Sequence, residues 1–261
     1  MLPLITVVTI TFNSEKTVEE TVRSVVSQDY PNLEYIIIDG GSTDSTLQIV
    51  DRYRDRIALV QSEPDKGISD AFNKGIFKAS GEIIGIINSD DILSEGALKA
   101  IAENYDPSID VYSGNILIWN SESGKTIIER PDISFDTLKL QYNVGHPARF
   151  IRRDAYQKYG LYRVDLRYQM DIELLCRFYK KGAKFAHIDK VLAKFRLGGA
   201  TANSIFKKKE DYRIVVQTCG GSERDFRRIW IKALCKNYCM RLVFAIFGED
   251  IRFKLKALKT K

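Results

Sequence analysis

With 261 residues, 44% of them hydrophobic and 28% charged, the chain can bury a full core and reads as one main domain with an appendage. Its four cysteines, Cys176, Cys219, Cys235 and Cys239, include no Cys-x-x-Cys pair, and its only histidines are His146 and His187, which argues against a zinc site or a disulfide framework. The net charge of +6 is unevenly placed, because the segment 224–261 carries +8 and everything before it −2.

Met1 to Phe12 is apolar but lacks a basic leader and a cleavage site, and it is too short to span a bilayer. It is expected to supply a buried first strand of a cytosolic protein. Within it, Ile5 to Thr11 is β-branched throughout, as suits a strand covered on both faces. Asn13-Ser14 then offers a cap, and Val18, Val22, Val25 and Val26 follow at helical spacing. The unit repeats: Leu33 to Asp39 is a second strand, Gly40-Gly41 a break, and Ser42 a cap for a helix carrying Leu47, Val50 and Tyr53. Ile57 to Gln61 is a third strand, Ser69 to Ala79 a helix, and Ile83 to Ile87 a fourth strand. Such alternation predicts an α/β fold with a mostly parallel, doubly wound, Rossmann-like sheet.

After Asp91 the order loosens. A helix capped at Ser94, a strand over Asp110 to Trp119 and a turn around Ser121 to Gly124 come first. Elements over Ala148 to Ile151, Asp171 to Lys181 and Lys184 to Phe195 follow, and the pattern beyond Ala200 is helical.

Ligands of such sheets sit beyond the carboxyl ends of the strands. There the sequence places Thr11-Phe12-Asn13, Asp39 to Ser42, Glu63 to Gly67 and Asn88 to Asp91. Asp90 and Asp91 offer two hard oxygen donors at one point, which suits Mg²⁺ or Mn²⁺ that also binds phosphate oxygens; a helix cap is the plainer alternative. Asp39-Gly40-Gly41-Ser42 places a carboxylate beside glycines that let a ligand approach, or is simply a turn. Asp171, opening a helix with Leu174 and Leu175, is either a general base raised by desolvation or an acid favoured by the helix dipole.

Three stretches taken together, Val8 to Asn13, Ile37 to Asp44 and Glu63 to Asp91, resemble the inverting family 2 glycosyltransferases with the GT-A fold, in their bacterial surface-polysaccharide (O-antigen or capsule) branch. The likeness covers residues 4–200. It implies a GT-A domain over 1–200, with a nucleotide-sugar half over 1–95 and an acceptor half over 96–200, followed by a basic helical extension over 201–261. It further implies that Asp39 bonds the uracil ring, that Thr11 and Phe12 line the nucleoside pocket, that Asp90 contacts ribose or metal, and that Asp91 ligates Mn²⁺ or Mg²⁺. Asp65, Lys66, Asp70, His146 and Arg196 fall within or beside the matching segments, with contacts to diphosphate, sugar or acceptor set against structural ion pairs.

Two positions depart from the family pattern: Asn88 stands at the first position of the metal motif, and Met170 stands where the base is preceded by Glu, leaving Asp171 as the base. The implied activity is metal-dependent transfer of a hexose or N-acetylhexosamine from a UDP-sugar to an acceptor hydroxyl, on a lipid-linked saccharide. A sugar nucleotidyltransferase would need a glycine-rich loop with Arg and Lys after the first strand, which Thr11 to Ser14 does not supply. A basic binding module would leave the acidic strand ends without a role, and the tail carries no nucleic-acid motif. From Ile229 to Phe247, large apolar residues mix with Lys232, Lys236 and Arg241, which predicts an interfacial helix at the inner face of the cell membrane or a helix packed on the domain.

Overall fold

A computed structural model describes residues 2–120, 123–131, 146–197 and 209–247. The first half is a run of βα units: β1 (Ile5–Thr11), α1 (Val18–Val26), β2 (Leu33–Asp39), α2 (Thr46–Asp51), β3 (Leu59–Ser62), α3 (Ile68–Lys78) and β4 (Ile83–Asn88). β5 (Ile92–Leu93), α4 (Ala97–Glu103), β6 (Val111–Trp119), β7 (Thr126–Glu129), β8 (Arg149–Arg152), α5 (Arg153–Tyr159), α6 (Met170–Lys180) and β9 (Phe185–Arg196) follow. Two helices close the described chain, α7 (Lys209–Thr218) and α8 (Glu223–Phe247). The expected turn at 121–122 and the segments 198–208 and 248–261 lie outside the described residues.

The sheet runs β3-β2-β1-β4-β8-β6-β9-β5, with β7 on β6. β1 to β4 pair in parallel. β8 then reverses direction against β4 and β6, so the second half is mixed. The parallel half follows the β-branched runs of the sequence, whose alternate residues are buried on opposite faces. Val7, Tyr35, Ile37 and Ile83 pack with α1 and α4 on one face, and Val8, Ile36, Ile38 and Ile84 with α3, α5 and α6 on the other.

Register decides where the chemistry collects. Thr11 lies opposite Asp39, and Ile10 opposite both Ile38 and Asn88, so β1, β2 and β4 end at one edge. Gly75 lets α3 lie close to β1, since a Cβ there would fall 2.3 Å from the Val8 side chain.

Three expectations shift. The cap residues move from Asn13-Ser14 to Thr17, from Ser42 to Ser45 and from Ser94 to Gly96, because the Asn13 side chain and the Ser42 hydroxyl are taken within the strand-end loops and Gly96 supplies a left-handed turn at φ 67°. The third strand starts at Leu59, with Ile57 buried before it. The argument against a disulfide framework missed one bond: Cys176 on α6 is bonded to Cys219, just past α7, across 43 residues of sequence with 5.4 Å between Cα atoms. Helix packing makes that pair, and no local spacing announces it. Cys235 and Cys239 are free and exposed.

Candidate active site

Asp39 ends β2 with no exposed surface. Its Oδ2 accepts the Gly41 and Ser42 amides and the Ser62 hydroxyl at 3.1, 2.9 and 2.6 Å, and its Oδ1 accepts the Ser42 hydroxyl at 2.5 Å. Ser42 Oγ also accepts the Asn13 amide at 2.8 Å, while Asn13 Oδ1 accepts the Thr43 amide at 2.9 Å. The loops after β1 and β2 are thereby tied together. Thr11 is buried at the strand end and its Oγ1 has no partner among the described residues, whereas Phe12 is 60% exposed beside them.

Asp65 reaches over this loop. A Cβ on Gly40 would sit 2.5 Å from Asp65 Oδ2 and 3.4 Å from the Phe12 ring, so the glycine makes room for a carboxylate and an aromatic face. Asp65 Oδ1 accepts the Gly67 amide at 2.8 Å, and Asp70 accepts the Lys66 amide at 3.0 Å. Lys74, which sequence reasoning passed over, pairs with Glu63 at 2.8 Å and with Asp70 at 3.6 Å. Asp70 therefore shapes the loop into α3, and the Lys66 side chain stays exposed.

The turn after β4 is different in kind. Asp91 is also fully buried, but among the described residues it receives only the Arg196 amide at 3.2 Å and the Asn88 side-chain amide at 3.4 Å. Burial, and then the neighbouring Asp90 charge, push its carboxyl well above the ordinary range. Asp90 is half-buried, and burial raises it too, with Arg196 opposing. Arg196 is the brace of this turn: its Nε donates to the Asp90 carbonyl at 3.2 Å, it pairs with Glu20, and its guanidinium stacks 4.3 Å from the Trp119 ring centroid. Ser89 joins the turn to the loop after β1 through a 2.7 Å hydroxyl contact with Ser14.

Asp171 opens α6, preceded by Gln169 in a left-handed conformation at φ 58°. Its Oδ1 accepts the Ile172 amide at 2.9 Å, and burial raises its pKa while the Arg149 charge opposes the rise. Arg149 is buried and opens β8. Because β8 runs antiparallel to β4, with Phe150 opposite Gly85, Arg149 stands toward the edge where β4 ends. His146 stacks on Phe72 of α3 at 4.7 Å, and burial and Arg149 push its pKa down to about 3. Paired hydrogen bonds of 2.8 and 3.0 Å between Asn73 and the Tyr162 backbone hold α3 against the chain leading to α6.

The structure thus joins Thr11, Phe12, Asp39 and Asp65 in one loop cluster, Asp90, Asp91 and Arg196 in a neighbouring turn, and sets Asp171 with Arg149 near the same edge. Ser42, Ser62, Asn13 and Arg149 are the structural partners that the sequence reading missed. Asn13 and Ser42 carry local signals, which point to helix caps, and Ser62 and Arg149 carry none. A cavity of about 570 Å³ lined by Asp110, Arg152, Lys158 and Lys184 lies at the opposite edge, where β4, β6 and β9 begin.

No group of three or more His, Cys, Asp or Glu among the described residues is arranged to hold a metal ion. Two adjacent carboxylates, both raised by lack of solvation, nonetheless fit Mg²⁺ or Mn²⁺. Such ions take one or two carboxylates and complete their shell with substrate phosphates and water.

A parallel half joined to a mixed half, with acidic turns where the parallel strands end, is the architecture of the GT-A fold. The chain belongs to glycosyl transferase family 2, whose pattern matches residues 6–160. It is 28% identical over 214 residues to the putative teichuronic acid biosynthesis glycosyltransferase TuaG of Bacillus subtilis, covering 79% of this chain and 83% of that one. Its fold is that of S. aureus TarS 1-349 in complex with UDP-GlcNAc, with TM-score 0.65, 23% identity, and 82% of this chain and 66% of that one covered. It is likewise that of the mannosyltransferase PcManGT from Pyrobaculum calidifontis in complex with GDP-Man and Mn²⁺, with TM-score 0.64, 18% identity, and 100% and 80% covered.

Proposed function

We propose that this glycosyltransferase moves a hexose or N-acetylhexosamine from a UDP-sugar to a hydroxyl of a lipid-linked glycan, with inversion, during synthesis of a surface polysaccharide. The observation that carries the reading is the under-solvated carboxylate pair Asp90 and Asp91, with a third raised carboxylate, Asp171, toward the same edge of the sheet. The relation to TuaG supports the surface-glycan role, and the fold shared with UDP-GlcNAc-bound TarS supports the donor class.

On this reading the labour divides among the residues. The Asp39 loop, Thr11, Phe12 and Asp65 receive the nucleoside, with Lys66, Asp70 and Arg196 shaping the path toward the diphosphate. Asp91, with Asp90 beside it, would hold Mn²⁺ or Mg²⁺, which would supply positive charge against that growing on the departing diphosphate. Asp171 takes the acceptor hydroxyl proton, the acceptor oxygen bonds to the anomeric carbon, and the bond from that carbon to the UDP oxygen breaks. A base raised by burial holds a proton more readily near neutral pH than an ordinary carboxylate.

Residues 1–200 form the catalytic unit, divided near 95 into donor and acceptor halves, and 201–261 form the extension. No helix among the described residues is long and apolar enough to cross a membrane. On α8, exposed Ile231, Tyr238 and Leu242 accompany exposed Arg227, Arg228, Lys232 and Lys236. These suit the anionic cytoplasmic face, where each basic residue contributes about 1 kcal/mol.

The test is turnover across a panel of UDP-sugars with lipid-linked acceptors. Asp171→Asn is expected to cost roughly 10²- to 10⁴-fold in kcat while leaving UDP affinity intact; unchanged turnover removes Asp171 as the base. Chelator is expected to abolish transfer until Mn²⁺ or Mg²⁺ is restored. Deleting 224–261 is expected to move the protein from the membrane pellet to the supernatant, and persistence in the pellet argues against anchoring by α8.

A further inference from the structure

We propose that α7 is a clamp on the helix that carries Asp171, so that the extension positions the catalytic base as well as following it in the chain. The proposal rests on the reading of Asp171 as the base.

α7 packs along α6 and is fastened to it near both ends. At its start, Asp211, only 8% exposed, accepts the Tyr168 backbone amide and also that of Arg167. Those amides immediately precede Gln169, the left-handed residue from which α6 begins and after which Asp171 follows at the second helical position. At its end, the Cys176–Cys219 bond joins the middle of α6 to the residue after α7. Val215 and Val216, both fully buried, lie on α7 between these two fasteners, and Val216 packs with Phe226 and Trp230 of α8. A helix held at two points about two turns apart cannot readily slide or rotate past its neighbour. The geometry of Asp171 relative to Arg149 and the sheet edge is therefore set partly from outside the matched family segment, residues 6–160.

The charges around each end bear on the readout. Asp171 is faced by Arg149 of β8 and by Tyr162, and Arg149 in turn by Tyr156 and Tyr162. Asp211 is raised by burial and by the neighbouring Asp165 and Glu210 charges. Loosening the clamp lets water reach Asp171, which lowers its raised pKa, and moves the carboxylate out of line with the acceptor.

The experiment compares full-length Asp211→Asn, Cys219→Ser and Asp171→Asn with the parent, recording kcat, KM for the donor, melting temperature and the pH dependence of kcat. The clamp predicts that Cys219→Ser and Asp211→Asn lower kcat about tenfold or more, in line with the cost of an ångström-scale misplacement. It also predicts unchanged donor KM and an acidic limb shifted to lower pH. Reduction of the parent by dithiothreitol, in which the two thiols replace the bond as the reagent closes its own disulfide, should reproduce the Cys219→Ser profile. Loss of thermal stability with kcat and the pH profile unmoved overturns the clamp and leaves a purely structural fastening. If Asp171→Asn keeps full turnover, the base assignment fails independently of α7. Should either variant fold poorly, reduction of the folded parent supplies the same kcat and pH comparison.

Discussion

Asp39 and Asp91 are both carboxylates with no exposed surface, one at the carboxyl end of β2 and the other in the turn after β4, the two parallel strands that flank β1, yet they are treated in opposite ways. Asp39 is surrounded by four hydrogen-bond donors. Asp91 has two long contacts and a second carboxylate beside it, and its pKa rises accordingly. One carboxylate is spent on holding a loop in the shape a nucleoside needs. The other is left short of compensation, and an incoming cation relieves that deficit, which is how a site stores affinity at the expense of stability.

The sharpest way to break this contrast is Asp91→Asn. Metal-dependent UDP affinity is expected to fall roughly tenfold to a hundredfold, as losses in a metal's immediate support do, in calorimetric titrations with and without Mn²⁺. The metal-free protein should move the other way. A carboxyl whose folded pKa lies above its unfolded value loses folded stability as pH rises through that interval. Removing it is therefore expected to raise the melting temperature at pH 7 by about 2–4 °C for each kcal/mol recovered. The gain should vanish near pH 4 and below, where the wild-type carboxyl is itself protonated. Destabilisation of the metal-free variant at pH 7 would contradict the idea that Asp91 is held at a cost.

Asp39→Asn should show the complementary pattern. It disturbs a satisfied network and is expected to cost about 2 kcal/mol in urea denaturation, while the factor by which Mn²⁺ strengthens UDP binding stays as in the parent. A change in that factor would mean that the two carboxylates are not separable. The smallest effect is expected from Gly40→Ala, whose Cβ meets the Asp65 carboxylate at 2.5 Å and the Phe12 ring at 3.4 Å. The flexible Asp65 can yield, so UDP binding should weaken by about 1 kcal/mol, roughly fivefold, with little change in melting temperature.

The β-branched run Ile5 to Thr11, the apolar run Leu33 to Asp39 with the glycines after it, and the paired aspartates at 90 and 91 were legible because strand burial and strand-end chemistry are written in consecutive residues. The mixed second half of the sheet was less so, since β8 is only four residues long and its antiparallel pairing depends on partners far along the chain. The same limit applied to Ser62 and Arg149, whose roles come from contacts across 23 residues of sequence to Asp39 and across the fold to Asp171.

Sequence alone determined that a parallel sheet would form and that acidic residues would leave it at one edge, because alternation of strand and helix and the position of strand ends are local properties. Tertiary structure alone decided which carboxylate is satisfied and which is starved, that Cys176 meets Cys219, and that Arg196 braces the Asp90–Asp91 turn from a different strand. Solvation and pairing depend on every atom brought near a group, and those atoms come from segments whose proximity exists only once the chain has folded.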